Sequence, residues 1–194
     1  MFNLSAFMVY IFVTAYTPGP NNIMSMSNAV RVGFKKSFPF NLGIWAGFSL
    51  VMLVCTLLSS VLFQIIPKIK VVMLVIGAAY ILYLAWKTYK SDSKIEAQDT
   101  QGASFLSGLF LQFVNPKIYI YAFTSMSAYI LPAFSDAPLT LAGFALFLAF
   151  FGFIASLAWA LFGSIFCKIL VERARLVNTV LALLLVYCAV SLFL

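Results

Sequence analysis

The chain has 194 residues, of which 64% are hydrophobic and 9% charged, and its mean hydropathy is +1.07. Soluble domains are roughly 45–50% apolar and 25% charged, so this composition excludes a water-soluble globular fold; at about 20 apolar residues per span it predicts about six membrane helices with no room left for a soluble catalytic domain. The formal charge of +7 does not point to nucleic acid, because the basic residues form short clusters between apolar runs rather than one face that could neutralise phosphates.

In chain order, the first apolar run covers 4–30. It is preceded by Met1-Phe2-Asn3, with no basic n-region or cleavage site, and reads as a retained helix rather than a signal peptide. Further runs follow at 39–63, 71–89, 105–131, 139–170 and 179–194. These runs predict an all-α integral membrane protein, a single transmembrane domain over 1–194 with membrane lipid as its solvent. A polar segment, 91–104, carries Asp92, Glu96 and Asp99 and separates two halves, 1–90 and 105–194, of three spans each.

Counting Lys and Arg between the runs sets the orientation. Arg31, Lys35, Lys36, Lys87, Lys90, Lys94, Lys168, Arg173 and Arg175 fall on one side, and only Lys68 and Lys70 on the other. The positive-inside rule puts the first group and the 91–104 linker in the cytoplasm and both termini in the periplasm. Of the twelve basic residues, the remaining one is Lys117, deep in the fourth run. Because three is odd, the second half must be inverted relative to the first. Each half opens on a run interrupted by proline, Thr17-Pro18-Gly19-Pro20-Asn21-Asn22 and Asn115-Pro116-Lys117, and closes on related segments, Gly77-Ala78-Ala79-Tyr80-Ile81-Leu82-Tyr83 and Leu184-Leu185-Val186-Tyr187-Cys188-Ala189-Val190.

At about 1.5 Å per residue both interruptions fall near the bilayer midplane. Pro18 and Pro20 lack N–H groups and Gly19 frees the backbone between them, so helices 1 and 4 are predicted to be broken there. New half-helices would begin near Asn21 and Lys117 with N–H ends suited to a carboxylate, and the preceding halves would end in unpaired carbonyls suited to an ammonium. A zwitterionic amino acid fits that pair of ends. Lys117 costs about 2.5–3.5 kcal/mol at mid-membrane on insertion scales. Either its ammonium meets the substrate carboxylate or exchanges a proton, or it snorkels or bonds carbonyls freed by the break. Asn21 and Asn22 read equally as substrate contacts and as helix caps, while Gln112 and Asn115 line a site or join helices. Gly43 and Gly47 predict close helix packing. Trp45, Trp86 and Trp159 read as interface or packing aromatics rather than a binding cage, and Cys55, Cys167 and Cys188 as small packing residues.

Absences narrow the chemistry. The sequence has no histidine, and its acids Asp92, Glu96, Asp99, Asp136 and Glu172 lie between runs or at their ends, so neither a catalytic carboxylate pair nor a metal cluster is expected at membrane depth. No cofactor or enzymatic activity is predicted. Without a Walker-type loop the chain would be a secondary carrier or a passive channel. Proton coupling would have to use Lys117, a helix-end acid or the substrate's own amine, and a homo-oligomer stays open as an assembly state.

The Thr17-Pro18-Gly19-Pro20-Asn21-Asn22 element, taken with Gln112-Phe113-Val114-Asn115-Pro116-Lys117, resembles the lysine exporter (LysE/RhtB) family of bacterial amino-acid efflux proteins over essentially the whole chain. The resemblance implies export of small neutral amino acids, such as cysteine and O-acetylserine, across the bacterial inner membrane, driven by the proton gradient. Homoserine, threonine or another neutral amino acid are the alternative substrates. Pro18, Gly19, Pro20, Asn21, Asn22, Gln112, Asn115, Pro116 and Lys117 are the expected substrate-binding or gating residues.

Overall fold

The computed structural model describes residues 3–57, 59–90, 103–167 and 172–190. Most of the polar linker, 91–102, lies outside these residues, together with Lys94, Lys168 and the C-terminal four.

Helix α1 (Leu4–Tyr16) starts at Asn3, whose side chain accepts the Ala6 N–H at 3.0 Å, a cap that satisfies one orphan donor of the first turn. It stops where Pro18 forces the residue before it out of helical geometry: Thr17 sits at φ −58°, ψ 137°. Gly19 is extended, and α2 (Pro20–Val32) begins with proline in its first position, where the missing N–H costs no helical bond. The fourth run breaks by the same rule. Helix α5 (Phe105–Val114) ends at Asn115, held at φ −88°, ψ 101° before a proline, and Pro116 opens α6 (Pro116–Thr124). A π-helical turn (Ser125–Ile130) then leads into α7 (Leu131–Phe134).

The unbroken helices are α3 (Phe34–Leu57), α4 (Ser59–Tyr89), α8 (Pro138–Ile165) and α9 (Ala174–Val190). Among the described residues α3 and α8 are each long and apolar enough to cross a membrane unaided. The boundaries differ most from the sequence expectation around the second and third runs. The second run, expected over 39–63, begins at Phe34, takes Pro39 into its helix and ends at Leu57. The third begins at Ser59, so 59–63, read as part of the second run, and 64–70, read as a connection, both belong to α4. A proline inside a helix forfeits one hydrogen bond, whereas opening the chain around it would forfeit several. At about 1.5 Å per residue, a helix of 31 residues rises roughly 46 Å, more than the apolar bilayer core of about 30 Å.

Polarity is distributed as in a lipid-embedded protein. Phe12, Val13, Val75, Ile76, Leu82, Phe110, Phe147, Phe150, Leu161 and Leu183 are exposed, while Asn21, Asn22, Asn28, Asn41, Gln112 and Asn115 are buried. In water this arrangement would waste the hydrophobic effect; in lipid it hides the groups that hydrocarbon cannot solvate. Small residues allow the interior helices to approach. A Cβ on Gly108 would collide with the Phe40 carbonyl, one on Gly43 with that of Phe105, and one on Gly47 would lie 2.7 Å from the Leu109 carbonyl, so α3 and α5 touch backbone to backbone. Helix α2 lies on α8, with Gly163 against Met26. Helix α4 pairs with α9, and its Gly77 abuts Pro116, so the second break is backed by α4.

Candidate functional site

Both breaks open onto one small cavity at the centre of the helices. Gly19, Asn21 and Asn22 line it from the first break, and Asn115, Lys117, Ile118 and Tyr121 from the second. Thr14 and Ala15 of α1, Phe48 of α3, and Gly152 and Ser156 of α8 close the sides. Its volume is about 30 Å³, room for roughly two water molecules. An amino acid enters only if these walls move apart.

The carbonyl end of α1 differs from the expectation of unpaired acceptors. Ala15 O accepts the Asn22 side-chain amide at 2.7 Å, and Tyr16 O accepts the Trp159 indole N–H at 3.2 Å. Thr17 O takes two donors, the same Asn22 amide at 3.0 Å and Lys117 Nζ at 3.0 Å. The correction has a plain cause: a half-helix ending inside the bilayer has no water to satisfy its last carbonyls. Side chains from α2, α6 and α8 therefore converge to do so. Lys117 does bond freed carbonyls, as one of its two readings required, but those of the first break rather than of its own. An ammonium has three donors, and its shaft lies over Gly19, where an added Cβ would sit 2.9 Å from Nζ. A side chain at position 19 would push the ammonium aside.

The two N-terminal ends are unlike each other. At α6, Asn115 accepts the Lys117 N–H at 3.1 Å and is thus an ordinary cap. At α2 no side chain caps the first turn, and Asn21 and Asn22 turn to other partners. Asn21 exchanges hydrogen bonds with Gln112, donating at 2.8 Å and accepting at 3.1 Å, and accepts from the Asn115 amide at 3.2 Å. Gln112 also donates to Gly108 O at 3.0 Å. This buried amide cluster ties α2 to α5, which combines the two readings given to Gln112 and Asn115 at Asn115 alone: Gln112 joins helices and is absent from the cavity wall, whereas Asn115 does both. Pro18, Pro20 and Pro116 shape the breaks without lining the cavity.

Sequence reasoning missed Tyr121 and Ser156. Ser156 donates to Asn22 Oδ1 at 3.3 Å. The Tyr121 ring is held between Tyr10, stacked with centroids 6.0 Å apart, and Phe48, edge-on at 5.7 Å. Its hydroxyl is buried with no hydrogen-bond partner among the described residues. The one available signal was spacing, since Tyr121 stands four residues after Lys117 and therefore on the same face of α6.

The cavity thus brings together an uncapped helix N-terminus, an ammonium beside it and a hydroxyl with no partner among the described residues, in a lining that is otherwise largely apolar. The model of the family described as "LysE type translocator" matches residues 12–194. Curated proteins named "Cysteine/O-acetylserine efflux protein" from Escherichia coli (strain K12), Escherichia coli O1:K1 / APEC and Shigella flexneri serotype 5b (strain 8401) are each 42% identical over 190 residues, covering 98% of this chain and 97% of theirs. No solved structure matches. A match over nearly the entire chain shows that this protein belongs to the LysE type translocator family.

Proposed function

We propose that the protein is a secondary carrier that exports small neutral amino acids, cysteine and O-acetylserine among them, across a bacterial inner membrane. The substrate class follows the names of its relatives. The observation that carries the reading is Lys117, whose ammonium lies beside the uncapped start of α2 in the shared cavity. A carboxylate placed there would meet the N–H end of α2 and the donors of Lys117 not used by Thr17 O. Asn22 Oδ1, Ser156 Oγ and the Tyr121 hydroxyl, in residues lining the same cavity, are the acceptors for the substrate ammonium. Coupling to the proton gradient would then run through Lys117 or the substrate's own amine.

Inverted three-helix halves, with both termini periplasmic, are part of the same reading. Support comes from reciprocal packing: the closing helix of the first half presses Gly77 on Pro116, and that of the second points Cys188 at Pro18 O, 3.7 Å away. Likewise α3 packs on the broken helix of the second half and α8 on that of the first.

The test is efflux of labelled cysteine or O-acetylserine at matched membrane abundance. Lys117→Met keeps the apolar shaft and deletes the charge, and it should insert normally and lose export. Lys117→Arg should keep part of the activity if charge alone matters, and none if the residue must release a proton, because guanidinium stays charged. Wild-type export by Lys117→Met would remove the reading. Countertransport of labelled against unlabelled substrate separates this carrier from a passive channel, which would not exchange.

A further inference from the structure

Beyond the central cavity, toward the start of α1, lies a second set of polar groups. Met8, Val9, Phe12 and Val13 are exposed, so Phe7, Tyr10, Ile11 and Thr14 form the side of α1 turned to the protein. Thr14 lines the central cavity, and Tyr10 is one helical turn nearer the start of α1, about 6 Å along the axis. Across from them are α6 and the π-helical turn, where Tyr121 lines the cavity and Ser125 follows one turn on. Tyr10 bridges to both: its ring is stacked on Tyr121 at 6.0 Å and on Tyr129 at 5.4 Å. Phe7 meets Tyr129 at 5.7 Å and Phe144 at 5.9 Å, which puts the start of α1 near the start of α8.

Packing alone does not account for this set. Phenylalanine would stack equally well at positions 10, 121 and 129 without bringing hydroxyls into the interior. The Tyr10 hydroxyl lies beside those of Thr14, Thr124 and Ser125. Ser125 Oγ is fully buried and, like the Tyr121 hydroxyl, has no hydrogen-bond partner among the described residues. Two such hydroxyls on successive turns carry a desolvation cost in the closed protein, and a polar solute moving past them would return it. The π-helical turn begins at Ser125 and contains Tyr129. Turns of this kind are rare and concentrate at functional sites. A change to ordinary α-helical bonding there would rotate Tyr129 relative to Tyr121 and part the contacts of Tyr10.

We infer that the substrate leaves the central cavity along this side, over the hydroxyls of Thr14, Tyr121, Thr124 and Ser125, and that the Tyr10 ring, held on Tyr121 and Tyr129, is the gate closing the passage. The inference rests on the export proposed above, and in the orientation proposed there the passage opens to the periplasm. An amino acid needs hydrogen bonds for both of its charged ends along the way. Hydroxyls donate and accept, so one row of them serves carboxylate and ammonium alike, and the tyrosine faces attract the ammonium.

The gate can be read without transport. The full-length protein, with Cys55, Cys167 and Cys188 replaced by alanine, carries Thr14→Cys as a reporter in proteoliposomes, and a membrane-impermeant cationic thiosulfonate is applied to one face at a time. Adding Tyr10→Ala deletes two aromatic contacts and should speed labelling about tenfold from the face at the start of α1, leaving the opposite face unchanged. No change, or an equal rise from both faces, would overturn the gate. Should Tyr10→Ala fail to insert, Tyr129→Leu removes the other ring and must give the same one-sided rise. The passage is read with labelled O-acetylserine, which has no thiol. Tyr10→Phe and Ser125→Ala keep the packing and delete one hydroxyl each, so KM from the face at the start of α1 should rise about fivefold, the worth of one hydrogen bond, with KM from the other face unchanged. Equal KM values for variant and wild type, or a rise at both faces, would overturn the passage. Failure of the unmodified protein to exchange O-acetylserine would instead sink the parent reading, on which the labelling does not depend.

Discussion

At Tyr121 a buried hydroxyl without a partner among the described residues carries a desolvation cost of about 1–3 kcal/mol. Removing it with Tyr121→Phe should leave the folded protein as stable as before or more so, while export weakens by roughly fivefold in KM, the equivalent of one hydrogen bond of about 1 kcal/mol. Thermal unfolding in detergent and concentration-dependent efflux, taken together, check this; equal KM values for both forms would show that the hydroxyl does not meet the substrate. Lys117 was legible from the sequence by subtraction, since every other cation had a place between apolar runs or near their ends. Its partner was not. Thr17 O is a backbone atom 100 residues away, and a carbonyl leaves no signature in residue type. The same holds for Trp159, which reads as a packing aromatic and in fact also donates to Tyr16 O.

The broken helices were legible because proline acts locally: it fixes the residue before it and is welcome at the first helical position. What local rules could not give was the difference between the two breaks. Asn115 caps its own helix, whereas Asn22 reaches back to fasten the preceding one, and only the arrangement of α1 against α2 decides which. The π-helical turn at Ser125–Ile130 also escaped, because it changes the register of bonding without changing composition. A double variant, Pro18→Ala with Pro20→Ala, lets the backbone regain two N–H donors and continue as helix across the gap. It should reach the membrane in normal amounts, yet its export should be abolished, since the N–H end of α2 would be consumed by carbonyls of α1. Efflux at the wild-type level from that variant would mean that the break is only tolerated.

On the scale of the whole molecule, composition was enough to predict helices in lipid, and the exposed apolar and buried amide residues fit that environment. Orientation rests on nine cations against two. Reporter fusions following Lys90 should be active in the cytoplasm and those following Val190 in the periplasm; the reverse pattern would invert the protein and move the Tyr10 gate to the other side. The starts of α3 and α4 were misjudged because proline and lysine were given more weight than the continuity of hydrogen bonding. Gly33 alone separates α2 from α3, at φ 82° and ψ 159°, a region open in practice only to glycine. Nothing lies within 4 Å of where its Cβ would be, so the backbone angle is the reason for the glycine. A one-residue elbow has no slack to absorb rotation. A tilt of α2 is therefore passed to α3 as by a crank, and through the bare backbone contact at Gly43 and Gly108 on to α5.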